Sequence, residues 1–132
     1  YNENQDAEFT VRPKDKSFVL KMFFLKVNDK IDSKAKVKDR LIYDGEEFLT
    51  GSTQSEVEVK EMNLKKGFGF YATFTDKETI KKSNPKPTDY PHMTRGYIKL
   101  SDDTVLGFFM LTHKTDNKVF KGLAKYLTSY IK

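Results

Sequence analysis

The pattern of apolar and polar positions along the chain predicts six β-strands. The run at residues 18–27, FVLKMFFLKV, is apolar on both faces, as expected of a central strand. Residues 56–62 alternate strictly between polar and apolar side chains, which predicts a strand with one face in water. The other predicted strands are residues 8–12, 67–75, 94–100 and 104–112, and a turn at residues 101–103 makes the last two a hairpin.

Two longer segments have helical spacing. Residues 33–44 follow a capping side chain at Asp32 or Ser33, although this segment has few apolar positions. Residues 116–131 carry their apolar side chains on one face, which predicts an amphipathic helix. A weaker helical turn is predicted at residues 76–82.

The order of these elements predicts an α+β fold. In this fold an antiparallel sheet of about six strands packs against two main helices, residues 33–44 and 116–131. Residues 8–132 then form a single domain, and residues 1–7 form a flexible N-terminal tail. Two alternatives stay open: an RNA-recognition-motif-like βαββαβ arrangement, and a curled sheet that closes around a pocket.

Composition narrows the chemistry that the chain can support. The sequence has no cysteine, which excludes disulfide bonds and thiolate metal ligands. No apolar run approaches the roughly 20 residues of a membrane-spanning helix. The sequence starts at Tyr1, which fits either removal of an export signal or a chain trimmed at that point.

The charge of the chain is basic, and its source is mainly lysine. The formal net charge is +5, but only Arg12, Arg40 and Arg95 are arginines. Lysine lacks the bidentate and stacking contacts that arginine makes with nucleic acids. Because the lysines are spread along the whole chain, we interpret them first as a solubilising surface and only second as a site for polyanions.

One stretch has the form of a nucleic-acid-binding motif. Residues 66–70, KGFGF, match the start of the RNP1 signature of RNA-recognition motifs. In that hypothesis Lys66, Phe68 and Phe70 would contact single-stranded RNA.

Strand pleating favours a different role for these phenylalanines. Alternate side chains of a strand point to opposite faces, so the phenylalanine side chains of this strand share one face with an alanine. The residues on that face are Phe68, Phe70, Ala72 and Phe74, and those on the other are Gly67, Gly69, Tyr71 and Thr73. A protein rarely exposes such an apolar stripe while it buries glycine and threonine, so we predict that the stripe faces the core.

No motif in the sequence indicates catalysis, a metal site or a cofactor. His92 and His113 are the only histidines, and neither belongs to an HExxH motif. Asp102-Asp103 fits a turn better than an acid–base pair. We therefore expect a protein that is not an enzyme and that binds no metal or cofactor.

A proline-stiffened loop is the candidate recognition site. Within residues 84–97, NPKPTDYPHMTRGY, the side chains of Tyr90, His92, Met93 and Arg95 are predicted to contact a partner. A stiff loop loses little entropy on docking, and tyrosine and arginine are common in interaction hot spots. The alternative is a plain connection between two strands.

The second half of the chain contains a series of short motifs. The series consists of Phe74-Thr75-Asp76, Pro85 with Pro87, Tyr90, Gly96 and the strand Phe108–Thr112. In this series residues 68–131 resemble small, exported, uncharacterised bacterial α+β proteins. The resemblance implies export and a role other than catalysis, and it assigns no functional residues.

We therefore expect a non-enzymatic binding protein that is secreted or periplasmic. Its partner would be another protein or a small ligand. Two other hypotheses are single-stranded nucleic-acid binding through the RNP1-like strand, and a carrier of small apolar ligands in an aromatic-lined pocket. A cytoplasmic location is the alternative to export.

Overall fold

A six-stranded antiparallel β-sheet forms the centre of this α+β protein. The structure is a computed structural model that describes residues 5–25, 33–62, 64, 67–101, 104–114 and 122. The strands are β1 (Gln5–Val11), β2 (Phe18–Leu25), β3 (Lys60–Met62), β4 (Phe68–Thr75), β5 (His92–Ser101) and β6 (Thr104–Thr112). Helices α1 (Lys34–Gly45) and α2 (Lys77–Ile80) and a 3₁₀ turn (Glu46–Phe48) accompany them. The strands lie in the order β1-β2-β6-β5-β4-β3, so β2 and β6, both apolar on both faces, are interior strands.

The predicted fold class is confirmed, with two corrections at strand ends. β1 already begins at Gln5, inside the stretch predicted to be a flexible tail, because Gln5 pairs with Leu25. β3 covers only the last three residues of the strand predicted at 56–62. The second main helix, predicted at residues 116–131, lies outside the described residues apart from Gly122.

The shortening of β3 has a packing cause. Val57 lies against Gly45 at the end of α1, where its methyl groups would be 3.2 and 3.3 Å from a Cβ on that glycine. Val57 and Val59 pack against the cluster beneath α1 while Glu56 and Glu58 are exposed, and pairing with β4 begins only at Lys60. The alternation of residues 56–59 therefore reflects burial of the two valines and not strand pairing.

Helix α1 covers one face of the sheet, which we call the helical face. Ser33 caps the helix, since its Oγ accepts a hydrogen bond from the backbone N–H of Lys36 at 3.3 Å. Val37 and Leu41 are fully buried against Phe70, Ala72, Phe74, Tyr97 and Val105. The prediction that the phenylalanine stripe of β4 faces the core is confirmed, because Phe70 is 1% exposed.

A polar contact fixes the end of α1 on the sheet. Asp44 Oδ2 accepts hydrogen bonds from the Tyr97 hydroxyl and from Arg40 Nε, the latter at 3.0 Å. Burial, together with the hydrogen bond to the Asp44 carboxylate, raises the pKa of Tyr97 to about 12. The phenol therefore stays protonated as a donor and anchors α1 to β5.

The other side of the sheet, which we call the opposite face, has its own apolar cluster. Its buried members are Leu20, Met22, Met62, Ile98, Leu106, Phe108 and Met110. Gly69 and Gly96 belong to this face and permit close packing there. A Cβ on Gly69 would lie 3.0 Å from Ile98, and one on Gly96 would overlap the ring of Phe108.

Candidate functional site

Helix α1 is too narrow to cover the whole helical face. An α-helix is about 10 Å wide with its side chains and strands are about 4.8 Å apart, so one helix covers about two strands. Helix α1 packs on β4 and β5, and the helical face of β6, β2 and β1 extends beyond it.

A groove lies at one end of the region that α1 does not cover. Its volume is about 680 Å³. It is lined by Arg12, Pro13, Lys14, Lys16, Phe18, Val19, Lys21, Thr88, Tyr90, Phe109 and Leu111. These residues come from the turn after β1, from β2 and β6, and from the proline-containing loop before β5. The volume is within the range of roughly 300–1,000 Å³ that is usual for ligand sites.

The floor of the groove is built by neighbouring side chains on two interior strands. Val19 pairs directly with Leu111, and Lys21 pairs with Phe109, so these four side chains share the helical face. Val19, Leu111 and Phe109 are each half-buried. The ring of Phe23, one pleat further along β2, lies 6.4 Å from that of Phe109. The floor is therefore an apolar patch of Val19, Leu111 and Phe109 beside Lys21, and the Phe109 ring connects this patch to Phe23.

One wall of the groove is the turn between β1 and β2, and hydrogen bonds hold it in place. Lys16 has a positive φ of 58°, and its N–H donates to the Pro13 carbonyl at 3.0 Å. The Lys16 carbonyl accepts a hydrogen bond from the Tyr90 hydroxyl at 2.9 Å and lies 3.2 Å from His113 Nε2. The Tyr90 and His113 rings pack with their centroids 4.6 Å apart. The turn is thus held against Tyr90 and His113 in the absence of any ligand.

The charged side chains that line the groove in the described part of the chain are all cations. Arg12, Lys14 and Lys16 are exposed, and among the described residues none of the three forms an ion pair. Lys21 is paired with Glu8 at 3.2 Å. The nearby Asp15 does not line the groove, and hydrogen bonds from Ser17 lower the pKa of its carboxyl. The groove therefore combines an apolar floor with unpaired cations at its rim.

Arg95 marks the boundary between the groove and the helix-covered core. Its guanidinium lies over the Phe109 ring at 4.4 Å and over the Phe48 ring at 5.1 Å. The two cation–π contacts hold the arginine flat on the sheet. The ring of Phe109 is consequently fixed from one side and open to the groove on the other.

The four residues of the predicted recognition loop do not share one surface. Tyr90 lines the groove, and Arg95 contacts its floor through Phe109. Met93 packs at the margin of the cluster beneath α1. His92 lies on the opposite face, because it is one residue away from Met93 in a regular strand.

His92 belongs to a separate polar cluster at the end of β4. Its Nδ1 is 2.8 Å from Thr75 Oγ1, while the Thr75 N–H donates to Gln54 Oε1 at 2.8 Å. Burial lowers the pKa of His92, so the ring is neutral at pH 7 and can accept the hydroxyl proton. The one nearby carboxylate, Asp76, instead accepts the Glu78 and Thr79 N–H groups and caps α2. These contacts close the end of the sheet.

The RNP1-like residues are placed unfavourably for base stacking. Phe70 is buried beneath α1 with 1% exposure, and Phe68 is half-buried beside it, with ring centroids 6.1 Å apart. Lys66 lies outside the described residues. Stacking on a base requires an open ring face, which Phe70 lacks.

Two general searches complete the description of the site. Within the described parts of the chain, no three histidine or acidic side chains come together in a way that could hold a metal ion. In the same parts of the chain, every helix is too short or too polar to cross a bilayer.

The groove residues could have been found only in part from the sequence. The available signal was the apolar character of both faces of residues 18–27 and 104–112, which places these strands in the interior of the sheet. Arg12, Lys14 and Lys16 look like any other surface cations until the sheet places them beside Phe109 and Leu111.

Comparisons with protein-family models and with curated proteins gave no match for this chain. The function is therefore argued from the geometry of the groove.

Proposed function

We propose that the chain is a non-enzymatic binding protein whose ligand site is the groove on the helical face. The observation that carries the proposal is the coincidence of an apolar floor and unpaired cations in one concave site. An exposed apolar patch rimmed by polar groups is typical of a binding surface. Isolated apolar residues are common on protein surfaces, but here three of them lie side by side and next to three cations.

The preformed wall supports the proposal. The turn that carries Lys14 and Lys16 is tied to Tyr90 and His113 by hydrogen bonds to one carbonyl. A site whose walls are already fixed loses little conformational entropy when a ligand binds. The floor lies on interior strands, which are the most rigid supports that a fold offers.

Chemical-shift mapping with a library of small fragments would test the site. We expect the fragments that bind to perturb amide signals of β2, β6 and the turn after β1, with Val19 and Leu111 at the centre. The variant Val19→Gln places an amide in the floor and should abolish these shifts without unfolding the protein. Phe9→Gln is the matched control, because Phe9 is 50% exposed and lies on the opposite face. Fragments that bind elsewhere, or equally to both variants, would overturn the proposal.

We also propose, from the resemblance of residues 68–131 alone, that the protein is exported by a bacterium. Fractionation of cells that express the full gene would test this. Recovery in the periplasm or medium is the expected result, and recovery in the cytoplasm would refute export.

A further inference from the structure

We propose that the groove binds a free long-chain carboxylate. The hydrocarbon chain would lie on the apolar floor, and the carboxylate would lie among Arg12, Lys14 and Lys16. This inference rests on the proposed function of the groove and names the chemical class of its ligand. Three features of the site support the inference. They are the backbone hydrogen bonds that occupy the strands of the floor, the positive charge of the rim and the size of the cavity.

The floor is suited to a hydrocarbon chain rather than to a peptide. β2 is paired with β1 and β6, and β6 is paired with β2 and β5, so their backbone N–H and C=O groups are occupied. Peptides that bind to sheets gain affinity from hydrogen bonds to an open strand edge, and this floor has none. A peptide lying here would place its own amides against side chains of valine, leucine and phenylalanine, which is costly. A hydrocarbon chain has no such groups to satisfy.

The rim is suited to an anionic head group. Among the described residues, four cations and no carboxylate line the groove, and of these cations only Lys21 forms an ion pair there. Arg12 can hold a carboxylate through two parallel hydrogen bonds, which lysine cannot do. Because these cations are exposed, salt should weaken their contribution.

The size of the site favours one small molecule. The groove has a volume of about 680 Å³, which is in the usual range of roughly 300–1,000 Å³ for small-molecule sites. Beyond the residues that line the groove, Phe23 extends the apolar surface along the helical face, and Val19 and Phe23 are four residues apart on β2, roughly 13 Å at strand spacing. Each methylene added within that length should tighten binding by up to about fourfold, and the gain should stop beyond it.

Calorimetric titration with laurate below its aggregation concentration would test the inference. Dodecyl maltoside and dodecyltrimethylammonium share the tail but carry a neutral and a cationic head. We expect laurate to bind at least about tenfold more tightly than either, and only its binding to weaken as salt rises. Octanoate should bind more weakly than laurate.

Paired charge variants provide the control. Arg12→Gln combined with Lys16→Gln should remove the preference for laurate over dodecyl maltoside. Lys60→Gln combined with Lys81→Gln removes the same charge from exposed positions that do not line the groove, and it should keep that preference.

Each adverse outcome separates this inference from the proposed function. If fragments bind in the groove but laurate does not, or if the three amphiphiles bind equally, the carboxylate proposal fails and the binding site stands. If neither fragments nor amphiphiles perturb the groove, both fail. If phosphatidylglycerol vesicles bind while monomeric laurate does not, the surface recognises a membrane and the inference is wrong.

Discussion

Replacing Phe70 with alanine tests the central claim about the RNP1-like strand. The ring is 1% exposed and lies beneath α1, in the same cluster as Val37, Leu41 and Tyr97. The Nζ of Lys38 lies 5.0 Å from its centroid and covers the remaining side. If the strand serves the core, the substitution must destabilise the whole domain.

The expected magnitude follows from the burial. Truncating the side chain to alanine removes roughly 150 Å² of buried apolar surface, and at about 25 cal/mol per Å² this is about 4 kcal/mol. Measured substitutions of buried phenylalanine by alanine fall in the same range, about 3–5 kcal/mol. At about 3–5 °C per kcal/mol for a domain of this size, the melting temperature should fall by about 10–20 °C.

Urea denaturation provides the measurement. The chain has 7 tyrosines and no tryptophan, so tyrosine fluorescence and far-ultraviolet circular dichroism are suitable signals. With a slope of about 1.5 kcal/mol/M, the midpoint should fall by roughly 2–3 M while the slope is unchanged. If Phe70→Ala leaves too little folded protein, Phe70→Leu should show a smaller loss of about 1–1.5 kcal/mol.

The control is Phe9→Ala, because Phe9 is 50% exposed and packs edge-on against the ring of Phe24 at 6.3 Å. Phe9→Ala should lower the free energy of unfolding by about 1 kcal/mol or less. A Phe70→Ala protein that is as stable as the Phe9→Ala protein would refute the placement of this strand and return its aromatic side chains to solvent.

Three further predictions test other contacts. Gly96→Ala should destabilise the protein by about 1–3 kcal/mol, because the new Cβ would overlap the Phe108 ring and lie 2.6 Å from the Phe70 carbonyl oxygen. In thermal melts of both variants, Gly51→Ala should be neutral, because open space surrounds Gly51. Ser33→Ala should lower the free energy of unfolding by about 1 kcal/mol and Ser33→Asp should restore it, and equal stability of all three proteins would contradict the cap. Burial holds the pKa of His92 below its ordinary value of 6.5, so the unfolded chain takes up the proton at a higher pH than the folded protein. The free energy of unfolding should therefore fall as the pH drops through about 6.5. His92→Gln should reduce that fall, which urea midpoints measured at about pH 7.5 and pH 5.5 would show.

The strand pattern could be predicted because it depends on local signals. Residues 18–25 and 104–112 are apolar on both faces and proved to be interior strands, and the cap at Ser33 was confirmed. The alternation of residues 56–59 misled the prediction, since Val57 packs against Gly45 instead of pairing along β4. Alternation reports which side chains are buried, but it does not report what buries them.

The groove could not be predicted from local sequence patterns. Its cations come from residues 12–16, its floor from residues 19 and 109–111, and one wall from Tyr90. The strand order, in which β6 lies beside β2, brings these segments together, and no local pattern specifies that order. The proline loop contributes Tyr90 to the groove, but the pleat of β5 sends His92 and Met93 to opposite faces.

The position of the groove follows from a mismatch between one helix and a wide sheet. β2 and β6 need apolar residues on the opposite face, where Leu20, Phe108 and Met110 are buried. Nothing in that requirement explains why Val19, Phe109 and Leu111 are also apolar on the helical face, where α1 does not reach them. Polar side chains there would have kept the strands folded and removed an exposed patch. The ligand that we propose would account for an apolar surface beside three cations that form no ion pair among the described residues.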